Sequence, residues 1–141
     1  MKETILIVED EKDIVKMLEY NLKKEGYKTL AVRNGEDAID SAKNEHPDLI
    51  ILDLMLPGID GLEVCKKIKS DSKTASIPII MLTTTDDPRE IETCYRLGCN
   101  CYITKPVEFS KFAETIRRLG LFIVVVQVPA VNGKDGSDVT R

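Results

Sequence analysis

Leu49-Ile50-Ile51-Leu52-Asp53-Leu54-Met55-Leu56-Pro57-Gly58-Ile59-Asp60-Gly61 is the stretch on which the fold turns. Its first four residues are apolar without a break, which suits a strand covered on both faces. The run stops at a carboxylate. Pro57-Gly58 then turns the chain, and Asp60-Gly61 opens a helix. Asp53 therefore stands at the carboxyl end of a buried strand, where open parallel sheets bind their ligands.

The same pattern repeats on either side. Thr4-Ile5-Leu6-Ile7-Val8 is a β-branched apolar run ending in Glu9-Asp10-Glu11. From Asp13 onward, Ile14, Met17, Leu18 and Leu22 recur at helical spacing until Gly26. Tyr27 to Val32 reads as a second strand, and Asn34-Gly35 leads into a helix with Ala38, Ile39 and Ala42. Pro47 breaks the chain before the central strand. The helix after Asp60 carries Leu62, Val64, Cys65 and Ile68 and ends near Lys69, followed by a polar loop from Ser70 to Ser76. Ile77 to Leu82 forms the fourth strand, with Thr83 behind it. Asp86-Asp87-Pro88 caps a helix bearing Ile91, Cys94, Tyr95 and Leu97, which Gly98 ends. Asn100 to Thr104 is a short strand ending at Lys105-Pro106. Glu108 to Leu119 is a fifth helix with Phe109, Phe112, Ile116 and Leu119 on its apolar side. This alternation predicts an α/β fold, a doubly wound five-stranded parallel sheet with right-handed crossovers.

Composition narrows the function. The chain has 141 residues, 43% hydrophobic and 31% charged, with a net charge of −4. That is one ordinary globular domain, and the acidic balance argues against a nucleic-acid face. The N-terminus enters a strand-like run at once, and no apolar span of roughly 20 residues follows. A cytoplasmic chain without membrane association is expected. The four cysteines, Cys65, Cys94, Cys99 and Cys101, lack paired C-x-x-C spacing and a nearby histidine, so reduced thiols packed as small apolar groups are expected rather than a zinc site. The single histidine, His46, lies in a loop context.

The strand ends carry the chemistry. Glu9 and Asp10 follow the first strand, Asp53 the third, Thr83 the fourth and Lys105 the fifth, so a parallel sheet gathers all of them at one edge. Three neighbouring carboxylates repel one another and Lys105 offsets only one charge. The remainder calls for a cation, and hard oxygen donors suit Mg2+. A metal, a lysine and a hydroxyl beside a carboxylate nucleophile make a cradle for phosphoryl transfer to Asp53.

As a set, these residues resemble the receiver domain of bacterial two-component response regulators, of the stand-alone, CheY-like type. The resemblance covers about residues 3 to 119 and rests on Glu9-Asp10, Asp53 with Leu56-Pro57 and Asp60-Gly61, Thr83, Tyr102 and Lys105-Pro106. It implies strand order 2-1-3-4-5 and phosphotransfer from a histidine kinase or phosphotransfer protein onto Asp53. It implies Mg2+ held by Glu9, Asp10, Asp53 and the backbone carbonyl of Met55. It also implies a switch formed by Thr83 and Tyr102 and a cis peptide at Pro106. Such a chain is no enzyme toward outside substrates; it catalyses only phosphotransfer to, and slow hydrolysis from, its own Asp53. A phosphatase with an aspartate nucleophile is the alternative. Those enzymes carry a second acid two residues after the first, and here that position is Met55, which transfers no proton. A flavin-binding relative would want glycines and hydroxyls after the first strand, where this chain has Glu9-Asp10-Glu11.

The end of the chain departs from the pattern. With the receiver at 1–120, the run Leu121-Phe122-Ile123-Val124-Val125-Val126-Gln127-Val128 within 121–129 reads as an additional C-terminal strand, and 130–141 as a flexible polar tail. An exposed apolar strand is an aggregation hazard. A homodimer is therefore expected, through this arm or the face of the fourth helix, fifth strand and fifth helix. The other outcomes are an arm folded back on its own subunit and a chain that is a fragment of a larger regulator.

Overall fold

The computed structural model describes residues 3–84 and 87–105, together with Ser110, Glu114, Thr115, Arg117 and Arg118. The elements are β1 Thr4–Val8, α1 Lys12–Lys24, β2 Lys28–Val32, α2 Gly35–Glu45, β3 Leu49–Asp53, α3 Gly61–Ser70, β4 Ile79–Thr83, α4 Pro88–Arg96 and β5 Cys101–Thr104. The strands form one parallel sheet in the order β2-β1-β3-β4-β5, as the resemblance implied. The chain divides into two compact units, Met1–Pro106 and Val107–Arg141. The first carries the sheet, and the five described residues of the second are helical, within the span expected for a fifth helix. The expected strand at 121–129, the polar tail and the peptide at Pro106 lie outside the described residues.

Side chains alternate across the strands. Leu6, Val8, Ile50, Leu52, Ile79 and Met81 pack with Ala38 and Ala42 of α2, Val64, Cys65 and Ile68 of α3, and Cys94 of α4. Ile5, Ile7, Ile51, Ile80 and Leu82, on the opposite parity, are buried as well. Every residue of β3 and β4 is buried, which is why these runs show no polar alternation.

Three strands begin later than expected: β5 starts at Cys101 rather than Asn100, and β2 and β4 start late for backbone reasons. The Tyr27 N–H is spent closing α1, donating to the Leu22 carbonyl at 3.0 Å beside Gly26 at φ 97°, so β2 starts at Lys28. The Ile77 N–H closes a turn onto Thr74 at 3.0 Å, and Pro78 has no N–H to give, so β4 starts at Ile79. The ammonium of half-buried Lys69 holds that turn from α3 by donating to the carbonyls of Ala75 and Ile77.

Candidate functional site

The sheet order reverses between β1 and β3, and this opens a crevice at their carboxyl ends. Val8 pairs with Leu52, which brings Glu9 and Asp53, the next residues, side by side. Glu9 is fully buried and Asp53 is 2% exposed. Lys105 is delivered by the backbone: its N–H donates to the Thr83 carbonyl at 2.7 Å, continuing the ladder in which Thr83 pairs with Thr104. Its ammonium lies 3.0 Å from Glu9 Oε1 and 3.3 Å from Asp53 Oδ2.

The loop after Asp53 is clamped at several points. The Met55 N–H donates to Asp53 Oδ1 at 3.1 Å, and the Leu54 N–H donates to the Leu82 carbonyl at 2.8 Å. The Gly61 N–H returns to the Leu54 carbonyl at 2.9 Å, and Asp60 caps α3 by accepting from the Glu63 N–H at 3.0 Å. The turn and the helix start read from Pro57 to Gly61 thus serve to orient Asp53.

Carboxylate oxygens of Glu9, Asp10 and Asp53 all lie within 4.8 Å of one another. Like charges at that spacing repel by about 3 kcal/mol per pair at an effective dielectric near 20. Burial pushes the Glu9 carboxyl up to about 7, with the Asp53 charge adding to the rise and the Glu11 amide and Lys105 opposing it. Burial pulls the Lys105 ammonium down, but Glu9 and Asp53 outweigh burial and its net shift is upward, so it is a fixed cation. Glu9 Oε1 is buried and, apart from its ion pair with Lys105, makes no hydrogen bond among the described residues. Three carboxylates in an all-oxygen donor set, opposed by a single lysine, fit a hard divalent cation such as Mg2+. The imidazoles and thiolates that softer metals prefer are missing from the group.

Thr83 is 2% exposed at the end of β4, and Tyr102 is half-buried in β5 against the core. Met55 contributes its N–H to the site while its side chain is 68% exposed. One neighbour escaped the sequence reading. Glu11 Oε1 stands 3.9 Å from Lys105 Nζ with a largely exposed side chain. The triple acid was visible, but which acids face the lysine depends on where α1 begins, and Glu11 occupies its N-cap position.

The cysteines lie apart from this group. Cys65, Cys94 and Cys99 are buried free thiols and Cys101 is half-buried. Burial pushes Cys65 up to about 11 and Cys99 up to about 12. Since the thiolate is the nucleophile, iodoacetamide at pH 8 should alkylate both about a hundredfold or more slower in the folded chain than in urea. Equal rates in the two states, read by mass spectrometry, would contradict that burial.

The sequence matches the family model described as "Response regulator receiver domain" over residues 5–117. The chain belongs to this family. Solved receivers share its fold at appreciable identity. The signal receiver domain of a signal transduction histidine kinase from Syntrophus aciditrophicus is 37% identical with a TM-score of 0.77, covering 83% of this chain and 89% of its own. The receiver domain of a sensor histidine kinase from Pseudomonas aeruginosa, with a magnesium ion coordinated in its active site cleft, is 30% identical with a TM-score of 0.76, covering 84% and 97%. A phosphorylated cyanobacterial phytochrome response regulator is 32% identical with a TM-score of 0.73, covering 88% and 95%. This receiver therefore has the five-stranded, CheY-like sheet, and among its described residues no helix is long and apolar enough to cross a membrane.

Proposed function

We propose that this receiver accepts a phosphoryl group on Asp53 from the phosphohistidine of a histidine kinase or phosphotransfer protein, and that the acyl phosphate switches a protein-interaction surface. The observation that carries this reading is the buried Asp53 carboxylate at the end of β3, with Lys105 at 3.3 Å and Glu9 and Asp10, which follow β1, beside it. Asp53 Oδ1 accepts the Met55 N–H, which fixes the carboxylate plane and presents it to an incoming phosphorus. The attack forms the Asp53 O–P bond as the P–N bond to the donor histidine breaks, and the imidazole leaves with that electron pair. Lys105 supplies a fixed positive charge for the phosphoryl oxygens. Glu9, Asp10, Asp53 and the Met55 carbonyl would hold Mg2+, which supplies charge neutralisation for the transferred group when bound. Thr83 offers a hydroxyl to the modified Asp53, and the Tyr102 ring follows it, so the face of α4 and β5 changes.

The test is labelling of the full chain with a small-molecule phosphodonor in Mg2+, followed by peptide mapping. Label is expected on Asp53 and is expected to disappear when Mg2+ is chelated. Label at another residue, or undiminished labelling without Mg2+, would overturn the reading.

The segment 121–129 is proposed to pair with a second copy, which would hide its apolar side chains. Truncation after Leu119 should then give a soluble monomer that still labels at Asp53. An intact chain that sediments as a monomer at tens of micromolar, roughly the range of weak complexes, would refute the arm.

A further inference from the structure

We infer that Tyr95 is a positioning residue for the switch: its ring, set edge-on against Tyr102, ties the side-chain position of Tyr102 to α4. The inference rests on the proposed Thr83–Tyr102 switch and names the part that carries its motion outward.

The geometry lies on one face of the sheet. Met81 belongs to the core beneath α2, α3 and α4, and Thr83, two residues on, shares its parity. Tyr102 pairs with Met81 and packs on the same core. The Tyr95 and Tyr102 rings meet with centroids 5.9 Å apart and planes at 79°. Edge-to-face pairs at this separation attract beyond what their buried area supplies. Burial also pushes the Tyr95 phenol above the usual tyrosine range, opposed by a hydrogen bond with the Tyr102 backbone.

The contact gains weight because, among the described residues, α4 buries little else. Cys94 is its one buried residue, whereas α3 buries Gly61, Val64, Cys65 and Ile68. A helix anchored by so few buried groups moves at low cost. The ring of Tyr95, 45% exposed, is then a large share of the attachment between α4 and β5. Any turn of the Tyr102 ring toward Thr83 alters the edge contact, and α4 responds.

The experiment is a double-mutant cycle on the full chain with Mg2+ and beryllofluoride, a mimic of the acyl phosphate. Wild type, Tyr95→Ala, Tyr102→Ala and the double variant are titrated by NMR, with Tyr95→Phe as the conservative control. The apparent affinities for beryllofluoride should depart from additivity by roughly two- to twelvefold, the span expected of an aromatic pair. In Tyr95→Ala the amides of α4 should lose much of their response while β5 keeps its own, and Tyr95→Phe should restore the wild-type response. An additive cycle, or a phenylalanine variant that behaves like alanine, overturns the role of Tyr95. If the Tyr102 ring of the wild type does not respond to beryllofluoride at all, the switch reading falls and this inference with it.

Discussion

Asp53→Asn is expected to reduce phosphodonor labelling to less than roughly a hundredth of wild type, the scale of losing a nucleophile. The amide has nearly the shape of the carboxylate, so the Met55 N–H keeps an oxygen acceptor and Lys105 keeps Glu9 at 3.0 Å. The fold should survive, and the loss can be assigned to chemistry. A second readout separates this from general damage. Asp53 is one of the charges that raise Glu9 from 4.5 to about 7, so removing it should lower the Glu9 titration midpoint measured by carbon NMR in chelator. Burial, the larger cause, remains, so the midpoint should stay above 4.5. Full labelling of the variant, or a Glu9 midpoint that rises, would contradict the assignment.

Much of the site could be read in the sequence because its residues are attached to strand ends. Thr4 to Val8 and Leu49 to Leu52 are uninterrupted apolar runs, so the acids that stop them are placed without knowledge of any contact. Lys105 and Thr83 were placed by the same reasoning, and the Lys105 N–H donates to the Thr83 carbonyl across the adjoining strand ends. The order of the strands came from the family resemblance, because hydrophobic periodicity does not say which strand pairs with which. The first residues of β2 and β4 were misplaced because Tyr27 and Ile77 are apolar enough for a strand while their N–H groups close turns. The approaches of Glu11 to Lys105 and Tyr95 to Tyr102 depend on helix rotation and rotamer choice, which spacing leaves open.

Gly61→Ala should destabilise the chain and misplace the phosphoacceptor together. A Cβ on Gly61 would lie 2.5 Å from the Asp53 carbonyl oxygen and 2.7 Å from the Leu54 Cα. Both are backbone atoms at the end of a fully buried strand, so neither yields by a rotamer change. Alanine's better helix propensity returns up to about 1 kcal/mol. Overpacking costs roughly 1–3 kcal/mol, and the rigidity of the atoms met puts this position toward the upper end. The urea midpoint should therefore fall with an unchanged slope, and phosphodonor labelling should slow because relief of the clash displaces Asp53 itself. A variant of wild-type stability and labelling rate would show that the loop has more room than these distances allow.

The clamps around Asp53 and the light attachment of α4 have a joint mechanical consequence. Two limbs leave the site: one through the bonds of Leu54, Asp60 and Gly61, the other through β4 toward a helix with one buried residue. Where two limbs carry comparable loads, the more compliant one travels further. Under the proposed switch, work done at Asp53 would then appear more in α4 than in the loop that holds the carboxylate. On that reading the amplitude of the signal depends on the softness of that helix as well as on the chemistry that triggers it. A receiver with the same acids and lysine but a deeply rooted fourth helix would, by the same reading, report the phosphoryl group less.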